Sequence, residues 1–413
     1  MGDSPDPVLL LAFYFTPGTE TGAARPSRFY RYLSRFGFEP HVITASRQHP
    51  ERPLPHVTHV PGYVEPDRRS LLGWVEIVLR RFVFPHDNGV VWIVLTAWRA
   101  LRSWPTRGYT ALVSSAPPIT VHLAALLLRR IKGIRWVADF RDPYLANPFR
   151  PTQTWLTRRV DRWIERSVFR YADALIANTE TVSVLWKRNY PQYSAKMHVL
   201  PNGFDPEEPV ESARSLPSRP YRVLAHVGTM YTVRHPGLVL AALERLAAAG
   251  RIDQSAVRVR LVGLVVLDSL TVDRELWDRM RDAGCLEYDG KNVPKAEANA
   301  AAAGADYLLL LDPQQTGANL QVPAKLYDYL RIGRPILAVT SRESPLEAIL
   351  ARAGVPYACL YIDDTEEEID AKLSRFLTLP SDAVRASDWF WEEFDGSRQT
   401  GRLAAIIRDV LDS

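Results

Sequence analysis

The sequence predicts an α/β protein of two Rossmann-like, doubly wound domains facing across a cleft. Three observations carry this expectation. Short apolar runs of roughly four to eight residues alternate with longer helical patterns, the signature of βαβ units around a parallel sheet buried on both faces. The alternation pauses over 201–220, where Pro201-Asn-Gly-Phe-Asp-Pro206 is turn chemistry and the stretch to Pro220 holds little apolar material. It then restarts with the same rhythm. The expected organisation is an N-terminal domain over 1–200, a linker over 201–220, a C-terminal domain over 221–385 and a terminal segment over 386–413 that contains a helix at about 398–411. At roughly 150 residues per domain, the 413-residue length agrees.

In the first half, Val8–Phe15, His41–Thr44, Thr110–Ser115, Arg135–Asp139 and Ala174–Asn178 read as strands. Helices are expected near Ser27–Arg35 and over 119–131. In the second half, Val223–Val227, Val257–Val262, Tyr307–Leu311, Pro335–Val339 and Tyr357–Tyr361 read as strands, with helices at 236–249, 272–283, 295–303, 324–332 and 344–353.

Composition narrows the function classes. Hydrophobic residues make up 46% and charged residues 24%, which excludes disordered and collagenous chains. Two cysteines, Cys285 and Cys359, supply neither a disulfide framework nor a cysteine-rich zinc module. No His/Asp/Glu cluster has metal-ligand spacing, so no metal and no cofactor are expected. The opening Met-Gly-Asp-Ser-Pro-Asp-Pro lacks the order of a secretory leader, and no apolar run is long enough to span a bilayer. The expected location is the cytoplasm. The net charge of +4 is unevenly placed: 68–107 carries Arg68, Arg69, Arg80, Arg81, Arg99, Arg102 and Arg107 against Glu76 and Asp87, while 363–370 is acidic. Within the basic stretch, Leu71–Phe84 is strongly apolar. A membrane contact is expected through 68–107, where this run could lie at the inner face of the cell membrane with its arginines at lipid headgroups, or pack as an ordinary helix. It resembles no nucleic-acid module, and no nucleic-acid partner is expected.

Parallel sheets bind ligands beyond the carboxyl ends of their strands, so the loops there hold the candidate residues. After the first strand come Gly18 and Gly22, either a close backbone approach to a ligand or a surface turn. Their spacing does not match the dinucleotide fingerprint, and no P-loop occurs. Val227-Gly228-Thr229 ends a strand, and Arg234 follows before a helix: a diphosphate clamp, or a solvated arginine. Lys325 lies in the first turn of a helix, where the macrodipole disfavours a cation unless an anion sits there. Asp328, one turn on, could bond a ribose hydroxyl while Lys325 reaches phosphate.

The segment Val322-Pro-Ala-Lys-Leu-Tyr-Asp-Tyr-Leu-Arg-Ile-Gly-Arg-Pro-Ile336 resembles the donor-binding motif of GT-B glycosyltransferases of family 4. Phe13–Pro17, Ser114–Pro118, Ala138–Pro143 and Pro201–Asp205 are similar to further markers of that family. The resemblance implies transfer of a sugar from a nucleotide diphosphate donor to a hydroxyl of a glycan, lipid-linked or small-molecule acceptor, with retention. It implies that Lys325 and Arg234 hold the diphosphate, with Gly228 and Thr229 allowing close approach. Tyr288, Gly290 and Val293 would frame the base, and Gly317, Ala318, Asn319, Leu320 and Gln321 would face the donor sugar and phosphate, followed by Val322. Asp328 stands where the family usually has glutamate, and Leu320 where many relatives carry a second one. The resemblance also implies that the last helix returns to the N-terminal domain, which holds the acceptor. There Asp139, Arg141 and Asp142 end a strand; a carboxylate could orient or deprotonate an acceptor hydroxyl, or the group could be a turn with a local ion pair. Ser115 could line that pocket or cap the following helix. A nucleotide-sugar epimerase and a catalytically silent scaffold subunit are the rival readings. His122 and His226 read as core residues.

Overall fold

The computed structural model describes residues 5–18, 22–47, 53–62, 74, 90–147, 154–210, 216, 218–230, 232–314 and 320–413. The apolar stretch 71–84 therefore lies, but for Trp74, outside the described residues. The chain forms two compact units, Met1–Asp205 with Asp395–Ser413, and Pro206–Phe394.

The first unit is a parallel sheet of seven described strands in the order β3-β2-β1-β4-β5-β6-β7. Its strands are β1 (Asp6–Ala12), β2 (Phe38–Thr44), β3 (Val57–His59), β4 (Ala111–Ala116), β5 (Arg135–Phe140), β6 (Ala174–Ala177) and β7 (Met197–Val199). Val8, Leu9, Leu10 and Leu11 are fully buried, as a parallel strand covered on both faces requires. Strand order reverses between β1 and β4, which opens a switch point at their carboxyl ends. The terminal helix Gly396–Asp412 packs Leu403, Ala404 and Ile407 into the core built on Val8, Leu10, Val113 and Val137.

The second unit is a parallel sheet ordered β10-β9-β8-β11-β12-β13. Its strands are β8 (Arg222–Val227), β9 (Val257–Val262), β10 (Leu286–Tyr288), β11 (Tyr307–Leu311), β12 (Ile336–Thr340) and β13 (Tyr357–Tyr361). Its switch point lies between β8 and β11. Helix Lys325–Ile332 stops at Gly333, whose φ of +81° is a left-handed cap that a side chain would strain. A Cβ there would also collide with the Val384 carbonyl oxygen.

The observed boundaries differ from those expected. Residues 201–205 belong to the first unit: Arg25 donates to the Pro201 carbonyl at 2.7 Å, and Phe204 is buried. Glu208 belongs to the second, its carbonyl accepting from Arg331 at 2.7 Å. The return to the first unit starts at 395, not 386, because Phe390 and Phe394 of helix Asp388–Phe394 are buried in the second unit, with Phe394 5.1 Å from the Tyr327 ring.

One buried ion pair ties β5 to helix Ala24–Tyr32. Arg25 donates from Nε and Nη2 to Asp139 at 2.8–3.1 Å, with side chains 1% and 0% exposed. Removing one partner of such a pair leaves an uncompensated buried charge, which typically costs about 3–5 kcal/mol. Arg25→Met is expected to lower the stability of this unit by about that amount in urea unfolding followed by circular dichroism. An unchanged midpoint would show that the pair carries no such load.

Candidate functional site

The site begins with backbone. At the tip of β8, Gly228 has φ +108° and its N–H donates to Val262 O at 2.8 Å. At the tip of β9, Gly263 has φ +127°, and a Cβ there would stand 2.8 Å from Gly228 O. Only glycine lets the two tips come this close.

Helix Lys325–Ile332 lays its first residue over this opening. Lys325 Nζ lies 2.9 Å from His226 Nε2, and a Cβ on Gly228 would lie 3.1 Å from the same nitrogen. His226 is 1% exposed, and its Nδ1 lies 2.8 Å from Leu309 O on β11. A carbonyl only accepts, so Nδ1 carries the proton and Nε2 offers its lone pair to Lys325. Burial, then the Lys325 charge, push His226 well below the usual imidazole range, so it stays neutral. Tyr329, on the same helix, accepts from Val227 N–H at 3.0 Å, tying helix to strand again.

Arg234 joins from the loop after β8. Gln314, just beyond β11, holds that loop: its N–H donates to Val233 O at 2.9 Å and its side-chain amide to His235 O. Burial, then the charge of Arg234, push the Lys325 ammonium down to about 7. The same Arg234 charge acts on His226 and on Asp312. Asp312, at the exit of β11, is 2% exposed and raised to about 7 by burial, against hydrogen bonds from Thr340 at 3.0 Å and Ser344 at 3.4 Å. Its Oδ1 is buried and receives no hydrogen bond.

The structure thus brings Gly228, Lys325 and Arg234 together, and adds His226, Asp312 and Gln314, which the sequence reading did not single out as functional. A histidine in an apolar strand two residues before a tip glycine, and an aspartate directly after Tyr307–Leu311, were the available signals. The other donor candidates are placed differently. Thr229 is exposed beside Gly228. Asp328 is not open to a ribose without competition, since Lys295 at 3.6 Å and Arg331 at 3.9 Å flank its carboxylate. Tyr288 ends β10 rather than standing in a loop, and its ring packs edge-on against Trp277 at 5.2 Å. Gly290 turns the chain at φ +67°, and Val293 is half-buried beyond it. Leu320 and Gln321 are half-buried, and Val322 is buried at the entry to the helix. Gly317, Ala318 and Asn319 lie outside the described residues.

In the first unit, two expectations are corrected. Asp139 does not face a substrate: it is fully buried, and its oxygens are taken by Arg25 and by the Ser115 hydroxyl at 2.7 Å. Ser115 therefore neither caps the helix Thr120–Lys132 nor lines an open pocket. Arg141 and Asp142 remain partly exposed, linked at 3.3 Å. Arg141 Nη1 is buried without a hydrogen-bond partner, and a Cβ on Gly22 would stand 2.9 Å from it. Gly18 closes a turn on Phe15 O at 2.9 Å. Among the described residues, one cluster has metal-ligand types, Glu39, His41 and His56. Both ring nitrogens of His41 are already engaged there, by Glu39 at 2.8 Å and His56 at 3.3 Å.

Residues 27–208 match the sequence model of Glycosyltransferase Family 4. No curated protein matches the sequence. Solved structures similar over almost the whole chain include a sucrose-phosphate synthase (tll1590) from Thermosynechococcus elongatus, at 13% identity and TM-score 0.60, covering 98% of this chain and 96% of that one. The lipopolysaccharide outer core galactosyltransferase WaaB, apo form, aligns at 10% identity and TM-score 0.61 over 98% and 99%. Anabaena Alr3699/HepE, in complex with UDP-glucose, aligns at 13% identity and TM-score 0.59 over 98% and 99%. At these identities the structures speak for the fold, while the family match speaks for the sequence. With two parallel-stranded Rossmann-like units the chain has the GT-B fold of these structures, and over residues 27–208 its sequence is similar to Glycosyltransferase Family 4.

Proposed function

We propose that this protein transfers a sugar from a nucleotide diphosphate sugar to a hydroxyl of a glycan, lipid-linked or small-molecule acceptor, with retention of configuration. The observation that carries the reading is the Lys325–Arg234 pair at the β8/β11 switch point. After burial, the positive charge of Arg234 contributes to the lowered pKa of Lys325. A dianionic group between them would offset that charge. The donor's diphosphate has that charge. Gly228 leaves room for it, and Lys325 retains two N–H donors besides the one directed at His226.

In this mechanism the cations stabilise negative charge as it develops on the leaving nucleotide diphosphate, without a metal ion. Because they are fixed by His226 and Gln314 before substrate arrives, little reorganisation is needed at the moment of reaction. The acceptor belongs to the first unit, where Arg141 and Asp142 remain free of the buried network that occupies Asp139. The solved complex of HepE with UDP-glucose and that of a starch synthase IV with ADP and acarbose support a nucleotide-based donor. The base and the sugar follow from a thermal-shift panel of UDP-, GDP-, ADP- and dTDP-sugars, since a bound ligand raises apparent stability.

Charge-assisted hydrogen bonds contribute about 1.5–3 kcal/mol each. Lys325→Ala and Arg234→Ala are therefore each expected to weaken the matching nucleotide diphosphate roughly 10–100-fold by calorimetry, with circular dichroism unchanged. Undiminished binding in both would remove the diphosphate assignment. Epimer formation without acceptor, or donor binding with no turnover for any acceptor, would redirect the reading to an epimerase or a scaffold.

The same site has a pH signature. Free Lys325 is lowered to about 7, and a bound diphosphate raises it again. Below pH 7 the ammonium is already charged; above it, binding must take up a proton, so affinity falls as pH rises, by up to about tenfold per unit. Lys325→Arg is the reference, because arginine stays charged and the nucleotide's own titration is common to both. Isothermal titrations at pH 6, 8 and 9 are expected to show a steep decline for the natural chain and a shallow one for Lys325→Arg. Parallel profiles would mean that Lys325 does not titrate in this range.

A further inference from the structure

We propose that the outer face of helices Val90–Arg107, Thr120–Lys132 and Trp155–Tyr171 of the first unit docks onto the surface of an anionic lipid bilayer. The three helices precede β4, β5 and β6, which step in one direction across the sheet. Right-handed crossovers put them on one side of it. Neighbours in this layer touch directly, the first helix against the second and the second against the third.

Their outward surface combines two features. Of twelve exposed large hydrophobic residues among those described, seven lie on these helices, including Trp98, Trp155 and Trp163 at 55%, 74% and 61% exposure. Val94 and Ile131, on the first and second of these helices, are exposed at 64% and 52%. Soluble surfaces scatter such residues singly; gathering them on one layer marks a contact surface. The second feature is charge. On helix Trp155–Tyr171 the two acids, Asp161 and Glu165, are 1% and 3% exposed and point inward. Asp161 accepts from the Tyr144 hydroxyl at 2.5 Å, and Glu165 from the Tyr190 hydroxyl at 2.8 Å and from Leu145 N–H at 3.1 Å. The outward side of that helix keeps its arginines and no acid.

The arginines and one tryptophan enclose a groove of about 810 Å³, lined by Arg130, Arg159, Arg162, Trp163, Arg166 and Arg170 among others. Arg130 Cζ lies 4.2 Å from the centroid of the Tyr171 ring, a cation–π contact at the groove edge. Multiple guanidinium groups converging on a groove of this size fit a phosphate headgroup.

The mixture decides the occupant. Arginines alone would serve a nucleic acid or any soluble polyanion, but exposed Val94, Ile131 and three indoles would then remain in water without a partner. A bilayer interface takes both: indole rings settle at headgroup depth, arginines reach lipid phosphates, and aliphatic side chains enter the acyl boundary. The surface includes the end of the basic stretch 68–107, and its lipid binding is independent of the donor chemistry proposed above, so either can fail alone.

The test uses the full chain with vesicles of phosphatidylcholine alone and of phosphatidylcholine with about one third phosphatidylglycerol. Sedimentation with the anionic vesicles only is expected, with a blue-shifted tryptophan emission that brominated acyl chains quench. Arg162→Glu with Arg166→Glu and Arg170→Glu should weaken this at least tenfold. Trp155→Ser with Trp163→Ser should lose most of the quenching and several-fold in binding. An equal charge reversal at exposed Arg251, Arg274 and Arg375 of the second unit should leave binding within twofold. Equal affinity for neutral vesicles, or full binding by the first triple variant, would overturn the proposal. So would duplex DNA displacing the vesicles with no quenching at any salt concentration, which would make this a polyanion surface.

Discussion

The candidate site of the second unit depends on a short chain of hydrogen bonds across its switch point. Leu309 O accepts from His226, and His226 in turn accepts from Lys325. Because a backbone carbonyl can only accept, one contact fixes the tautomer of the imidazole and therefore the direction of the next. Strand β11, strand β8 and helix Lys325–Ile332 are thereby held in one arrangement, with an ammonium group at the point where two glycine tips meet. A parallel sheet supplies the opening; the histidine decides that a cation stands in it.

The two units treat buried charge in opposite ways. In the first, Asp139 is matched oxygen by oxygen, by Arg25 and Ser115, and Arg25 Nη1 donates to Pro201 O. Such a closed network contributes to stability and uniqueness but has nothing left for a ligand. In the second, the charge of Arg234 bears on Lys325, and Asp312 keeps a buried oxygen that receives no hydrogen bond. Under the function proposed above, a bound diphosphate would complete that arrangement. The same contrast explains why Asp139, a strand-tip aspartate by sequence, is structural, whereas a histidine of the apolar core takes part in the site.

Much of the fold was legible because parallel strands buried on both faces must be almost wholly apolar, as Val8–Leu11 and Tyr307–Leu311 are. Lys325 and Gly228 were legible for a related reason: a cation in a helix's first turn and a glycine at a strand tip both contradict local preference unless something binds there. What escaped is what depends on distance along the chain. Arg25 meets Asp139 across 114 residues, and nothing in either neighbourhood marks the pair. The three-residue strands β3, β7 and β10 are too short to show a period. The boundary at 395 rests on where Phe390 and Phe394 are buried, which aromatic composition alone does not reveal.

Helix Trp155–Tyr171 shows the same limit from the other side. Read by ordinary amphipathicity, its tryptophans belong inside and its acids outside. The structure inverts this for Trp163, Asp161 and Glu165, because Tyr144, Tyr190 and the Leu145 N–H supply the donors that make inward carboxylates tolerable. Once the acids are turned inward, the exposed side of the helix is left to arginines and indole rings. An outward field of positive charge is thus a consequence of three hydrogen-bond donors placed beneath the helix, not of the helix's composition, which on its own looks only mixed.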